Sequence, residues 1–214
     1  MIDKNTLMDA MKKARESAKG KNFTQSWDLS VSLKEMDMKK AESRLSEDFM
    51  LPNGLGKNVK VAVISDTITQ KATGVADSVI TKDQLPAIGQ DKKSLKKLAA
   101  GTDFFLSEIS LMPLVGKHMG PVLAPRGKMP KPIPPNADVK TLVERTKKYV
   151  RIKLKDSPVV NVIIGNEKMD DGKVIENIES VMEFLERKLP KGKDNFKNIT
   201  VKLTMGKPEK VRVQ

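Results

Sequence analysis

Few residues in this 214-residue chain are equipped for covalent or metal chemistry. Cysteine is absent, which removes disulfides, thiol nucleophiles and thiolate metal sites. The single histidine, His118, excludes a multi-histidine metal centre and leaves one place for a Ser-His-Asp triad. In GPVLAPRGKM, six residues separate Gly120 from Gly127-Lys128, and Met129 follows the lysine. A P-loop needs four residues there, then Ser or Thr after the lysine. No GxGxxG follows a strand. His118 itself reads as a surface histidine or a phosphate contact. Asp170-Asp171 and Asp37 are the carboxylates that a pair would use, but their settings read as a helix start and a loop, where acids favour the positive helix end. The expectation is a protein without catalysis, metal or cofactor; the alternative is a phosphate-substrate enzyme using the Gly-rich loop.

Nucleic-acid chemistry has better material. Lys19-Gly20-Lys21-Asn22-Phe23-Thr24-Gln25 sets an aromatic among cations and amides just ahead of a strand. Phe23 can stack on a base while Lys21 holds phosphate and Thr24 or Gln25 reaches base edges or a 2′-hydroxyl. The same spacing also suits a core phenylalanine at a sheet edge. Lys39, Lys40 and Arg44 add cations near the next strand. Thr204-Met205-Gly206 closes an alternating strand with a glycine that either admits another backbone or simply turns the chain. Aromatic content is only 4%, so a shaped, folded RNA suits the chain better than an extended single strand.

The charge agrees with that partner. The chain carries a formal +13: net +1 over 1–55, +8 over 56–149 and +4 over 150–214. Residues 117–155 hold 11 basic and 2 acidic side chains. Such an excess attracts polyanions through counterion release. A membrane is disfavoured because this stretch carries six prolines and no apolar helical stripe. No apolar run approaches the ~20 residues of a bilayer span. The N-terminus lacks the apolar block of a secretion signal, so a soluble, cytoplasmic protein is expected.

The elements that must position these residues follow from periodicity. Leu7, Met8, Met11, Ala14 and Ala18 predict a first helix, with Thr6 and Asp9 as a capping box and Gly20 as its stop. Gln25 to Leu33 alternates as a half-buried strand, and Arg44 to Leu51 predicts another, ending at Pro52-Asn53-Gly54. Val59 to Ile64 is apolar on both faces, as in parallel sheets. Apolar groups at 78–80 and 104–106, separated by Lys-rich helical stretches such as Asp91 to Ala100, predict a small α/β layer fold. The Gly- and Pro-rich stretch from Gly116 reads as irregular. Asp138 to Tyr149 reads as a helix, Val159 to Ile164 as a strand stopped by Gly165, Asp170 to Leu189 as an amphipathic helix, and Ile199 to Met205 as a long strand turning into Val211 and Val213. Neither terminal segment has enough elements to stand alone. Together, 1–55 and 150–214 make one discontinuous domain interrupted by an inserted domain, 56–149.

Three stretches resemble one family: Lys21 to Ser26, GKHMGPVLAPRGKMP from Gly116 to Pro130, and LTMGKPEKVRV from Leu203 to Val213. They are similar to the ribosomal protein L-one family, universal proteins of the lateral stalk of the large ribosomal subunit, in its archaeal type. The resemblance implies an α/β protein: a split-sheet domain from both termini with an inserted three-layer, Rossmann-like α/β domain. It implies recognition of stalk ribosomal RNA by Glu16, Lys21, Asn22, Phe23, Thr24, Lys40, Asn198, Thr204, Met205 and Gly206. Glu16 sits one residue further from the Phe than the family pattern, and Asn22 and Asn198 replace the family's usual Lys and Ser. It further implies binding to the protein's own messenger RNA as a translational repressor, and transient contact with exit-site tRNA during its release. Free, the chain is expected to be a monomer. Charge instead points to the insert, so Lys117, His118, Arg126 and Lys128 are expected as an auxiliary, salt-sensitive contact.

Overall fold

The computed structural model describes residues 4–38, 44–66, 72, 74–134, 138–155 and 157–211. The chain divides into two compact units, Met1–Lys57 with Lys148–Gln214, and Asn58–Lys147.

In the first unit, the amphipathic stripe becomes helix α1 (Lys4–Ser17), burying Leu7, Ala10, Met11 and Ala14. Thr6 lies inside the first turn rather than capping it. Leu7 is fully buried, and Lys4 at the start of the helix pairs with Glu179 at 3.4 Å. Strand β1 (Ser26–Leu33) buries every second residue from Trp27. It pairs antiparallel on one side with β8 (Val159–Asn166) and on the other with β9 (Phe196–Leu203). The edge strand β10 (Glu209–Val211) pairs with β9, giving the order β10-β9-β1-β8. The centre of the sheet therefore comes from one end of the chain and its neighbours from the other.

Helix α1 and the long helix α7 (Asp171–Lys188) supply the rest of a single core, with Val174, Ile178, Val181 and Leu185 buried on one stripe of α7. Trp27, the only tryptophan, is fully buried there; its ~150–250 Å² is worth at most about 4–6 kcal/mol. Gly165 does not stop β8, which runs on to Asn166. A Cβ at Gly165 would sit 3.1 Å from Val174 Cγ2, so the glycine answers helix packing. Beside this sheet, β2 (Leu45–Met50) and β7 (Tyr149–Leu154) form a two-stranded antiparallel ladder. Asp48 faces Arg151 in that register, and Arg151 Nε donates to its carboxylate at 2.9 Å.

The second unit is a parallel sheet, β4-β3-β5-β6, from β3 (Val61–Ile64), β4 (Ser78–Ile80), β5 (Phe104–Glu108) and β6 (Lys131–Ile133). Both faces of β3 and β5 are buried. Ala62, Ile64 and Phe105 join a cluster with Leu85 of α2 (Gln84–Gln90) and with Leu95 and Ala99 of α3 (Lys92–Gly101). The Gly- and Pro-rich stretch is only partly irregular: it begins in the last turn of α4 (Met112–His118) and contains α5 (Gly120–Leu123), each helix with a proline in its first turn, before turns and coil lead to β6. A proline is harmless there because that N–H has no helical partner. Helix α6 (Val139–Thr146) is N-capped by Asp138 and ends before Tyr149, which opens β7.

Candidate nucleic-acid interface

Two of the three family-motif stretches, Lys21 to Ser26 and Leu203 to Val213, meet at one corner of the first unit beside the end of α1. Ser26 and Thr204 are locked together: Thr204 N–H donates to Ser26 O at 3.1 Å and Ser26 N–H donates to Thr204 Oγ1 at 3.1 Å. One residue on, Met205 N–H donates to Gln25 Oε1 at 3.1 Å, and Gln25 Nε2 donates to Ala18 O at 3.0 Å. Gln25 N–H donates to Glu167 Oε2, and Glu167 N–H returns the bond to Gln25 O. Gln25 is thus buried as a clamp between the end of α1, the start of β1 and the turn after β9. The expectation that it reaches a base edge is corrected, because both polar atoms of its amide are already engaged.

Gly206 completes the corner. A Cβ there would lie 3.1 Å from Ala18 Cβ, 3.2 Å from Ser17 Oγ and 3.3 Å from Ala14 O. Lys207 N–H donates to Ser17 Oγ at 3.0 Å. Here the glycine permits close approach of the turn to α1. Arg15 braces the same region: Nη2 meets Asp171 Oδ1 at 2.5 Å, and the guanidinium lies 5.5 Å from the Trp27 ring centroid. Asp171 is therefore an ion-pair partner of Arg15.

What the corner offers outward is apolar and cationic. Phe23 is 51% exposed and Met205 58% exposed, so the core reading of Phe23 is corrected. Lys21, Asn22 and Thr24 are exposed beside Phe23, as are Lys19 and Lys207. Glu16 is exposed on the last turn of α1, where a carboxylate gains nothing from the helix dipole. Asn198 shares the outward face of β9 with Thr204, but it lies opposite Ser32 at the other end of the ladder. The two are six positions apart along the chain, roughly 20 Å. The structure therefore does not bring Asn198 to the corner. Between them, Asp28 faces Lys202; burial raises the Asp28 carboxyl above its usual value and Lys202 partly opposes this. Lys39 and Lys40 lie outside the described residues.

The four auxiliary positions divide differently from expectation. Lys128 Nζ donates to Ala99 O at 2.9 Å and Thr102 O at 2.6 Å, satisfying carbonyls at the end of α3. Its ammonium is turned into the unit, which corrects its assignment as an RNA contact. His118 is half-buried against α2: a Cβ on Gly89 would meet His118 Cβ at 2.8 Å. Arg126 is exposed, with Nη1 donating to Lys96 O at 3.3 Å, and Lys117 is exposed on α4. With Lys128 facing helix carbonyls and Gly120 inside α5, the segment does not form the phosphate cradle an enzyme reading needs.

Asn177 escaped the sequence reading. It is fully buried on α7, where Nδ2 donates to Gly54 O at 2.9 Å and Ile164 O at 2.8 Å, and Oδ1 accepts from Asn53 N–H at 3.1 Å. The only available signal was one polar residue within the apolar stripe of α7.

Comparison with known proteins gives one consistent result. The model of the ribosomal protein L1p/L10e family matches residues 12–207. The chain is 45% identical over 212 residues to the large ribosomal subunit protein uL1 of Methanocaldococcus jannaschii, covering 99% of this chain and 97% of that one. It is 46% identical over 211 residues to the uL1 of Methanothermococcus thermolithotrophicus, covering 98% and 99%. Identity to the uL1 of Methanothermobacter thermautotrophicus is 46% over 202 residues, covering 94% and 95%.

Proposed function

This chain belongs to the ribosomal protein L1p/L10e family, a structural component of the large ribosomal subunit rather than an enzyme, and on that premise we propose that its discontinuous unit binds the ribosomal RNA of the lateral stalk. One observation carries the reading: Phe23 and Met205, both large, apolar and exposed, flank a hydrogen-bonded corner, Met205 tied to it by its own N–H and Phe23 standing two residues before the Gln25 clamp. Exposed apolar side chains on a fixed frame are ready to pack against bases without ordering a loop first. Base stacking on such a platform is worth about 1–3 kcal/mol per base. Lys19, Lys21 and Lys207 around it supply phosphate contacts, which set affinity and orientation while the platform discriminates shape.

The same surface serves a second RNA of the same shape, a folded segment of the protein's own messenger, and occupancy there represses translation. On the ribosome, in the cytoplasm, the chain takes part in release of deacylated tRNA from the exit site. The test is binding of a stalk ribosomal RNA fragment and of a scrambled fragment to wild type, Met205→Ala and Thr204→Ala. Met205→Ala is the cleaner variant, because Thr204 Oγ1 also bonds Ser26. Expected is a loss of about ten- to a hundredfold for the stalk RNA, corresponding to 1–3 kcal/mol, with little change for the scrambled RNA and an unchanged Tm. Equal affinity in all three proteins overturns the assignment.

A further inference from the structure

The inserted unit carries a cationic surface that the family-motif residues do not account for. Helix α3 exposes Lys92, Lys93, Lys96 and Lys97, while Leu95 and Ala99 do its packing. At i,i+4 spacing, 92 with 96 and 93 with 97 form two neighbouring stripes, and 93 with 96 bridges them at i,i+3. Among the described residues, none of the four lysines is in an ion pair. The adjacent acid, Asp91, is engaged as the N-cap. It accepts from the N–H groups of Lys93 and Ser94 and from the Ser94 hydroxyl, and these bonds hold its carboxyl below the usual range. Arg126, anchored on Lys96 O from a separate loop, brings a fifth cation to the ridge.

Like charges at these spacings weaken a helix, and among the described residues no hydrogen bond or ion pair holds the four ammonium groups; Lys97 makes only a minor electrostatic contribution at Asp91. A polyanion laid along the ridge would relieve the repulsion and release counterions. The ridge has no aromatic residue, so it lacks the stacking surfaces that hold unpaired bases. We infer that Lys92, Lys93, Lys96, Lys97 and Arg126 form a second, sequence-independent RNA site that grips the phosphate backbone of a duplex. This rests on the RNA-binding reading of the chain. It also shifts the salt-sensitive contact of the insert chiefly to the helix on which the Gly- and Pro-rich segment leans, keeping Arg126 of that segment.

The experiment uses the full chain with Lys92→Gln, Lys93→Gln, Lys96→Gln and Lys97→Gln together, glutamine being nearly as good a helix former as lysine. Affinity for a 20-base-pair RNA duplex of arbitrary sequence is measured between about 50 and 200 mM salt, the range over which phosphate contacts declare themselves. Expected is a salt slope shallower by about two to four, since each neutralised phosphate contributes about 0.9. The four-fold Lys→Arg variant keeps the wild-type slope. Preference for stalk RNA over scrambled RNA stays as in wild type, whereas Met205→Ala alters that preference and leaves the slope, so the two sites fail separately. A glutamine variant with the wild-type slope overturns the proposal. So does an unchanged RNA slope accompanied by selective loss of retention on polyglutamate, which would assign the ridge to an acidic protein.

Discussion

The Gln25 amide ties three segments that are far apart in sequence: Ala18 at the end of α1, its own place before β1, and Met205 after β9. Removing it leaves a carbonyl and an N–H without partners at a site where water has poor access. Each such group costs about 1–3 kcal/mol, so Gln25→Ala is expected to destabilise the discontinuous unit by roughly 2–4 kcal/mol. Trp27 lies two residues away in that core, so its fluorescence during urea unfolding reads the loss as a lower midpoint. An unchanged midpoint would show that the corner is not held by this side chain. In the sequence, Gln25 looked like a ligand-reaching amide because it follows Lys21-Asn22-Phe23-Thr24. Nothing local distinguishes an amide facing an RNA from one facing the protein's own backbone. The same limit hid Asn177, whose partners Gly54 and Ile164 lie 123 and 13 residues away.

Among the elements, those with a clear apolar period were legible: β1 and β9 by alternation, α1 and α7 by a 3.6-residue stripe. Their ends differ from expectation by up to three residues, where caps and packing decide. The segment from Gly116 was misread because Gly and Pro were taken as breakers. Pro121 instead occupies a first turn, as Pro113 does just ahead of the segment, where a missing N–H costs nothing. Charge misled in the same place. Lys128 counted toward a polyanion site, yet its ammonium meets two carbonyls at the end of α3. A cation there interacts well with the helix dipole. Lys128→Met is therefore expected to cost the inserted unit about 1.5–3 kcal/mol, the range for hydrogen bonds to a charged group. Both Trp27 and the single tyrosine, Tyr149, lie in the other unit. The loss should accordingly lower the midpoint of far-ultraviolet circular dichroism while the Trp27 fluorescence midpoint stays. Movement of both midpoints together would contradict a role confined to α3.

At the scale of the whole molecule, the decisive feature is the placement of β1 between β8 and β9. A sheet whose centre and flanks come from opposite ends of the chain cannot close until both ends are made. The two crossing points of the insert lie side by side: Met50 faces Tyr149 in the β2–β7 ladder, and Leu51 N–H donates to Lys148 O at 3.0 Å. The sequence suggested this closure by the poverty of each terminal segment, but the register that aligns Thr204 with Ser26 required the three-dimensional pairing. Because the ends of the insert are neighbours, 58–147 can be exchanged for a short Gly-Ser turn without moving the corner that holds Phe23, Thr204 and Met205. The most direct measurement is the ratio of affinities for stalk and scrambled RNA, taken for the full chain and for this excised unit at one salt concentration. The account predicts the same ratio for both, with weaker absolute binding and a shallower salt slope for the excised unit. A ratio that falls to one in an excised unit still showing native Trp27 fluorescence would contradict it.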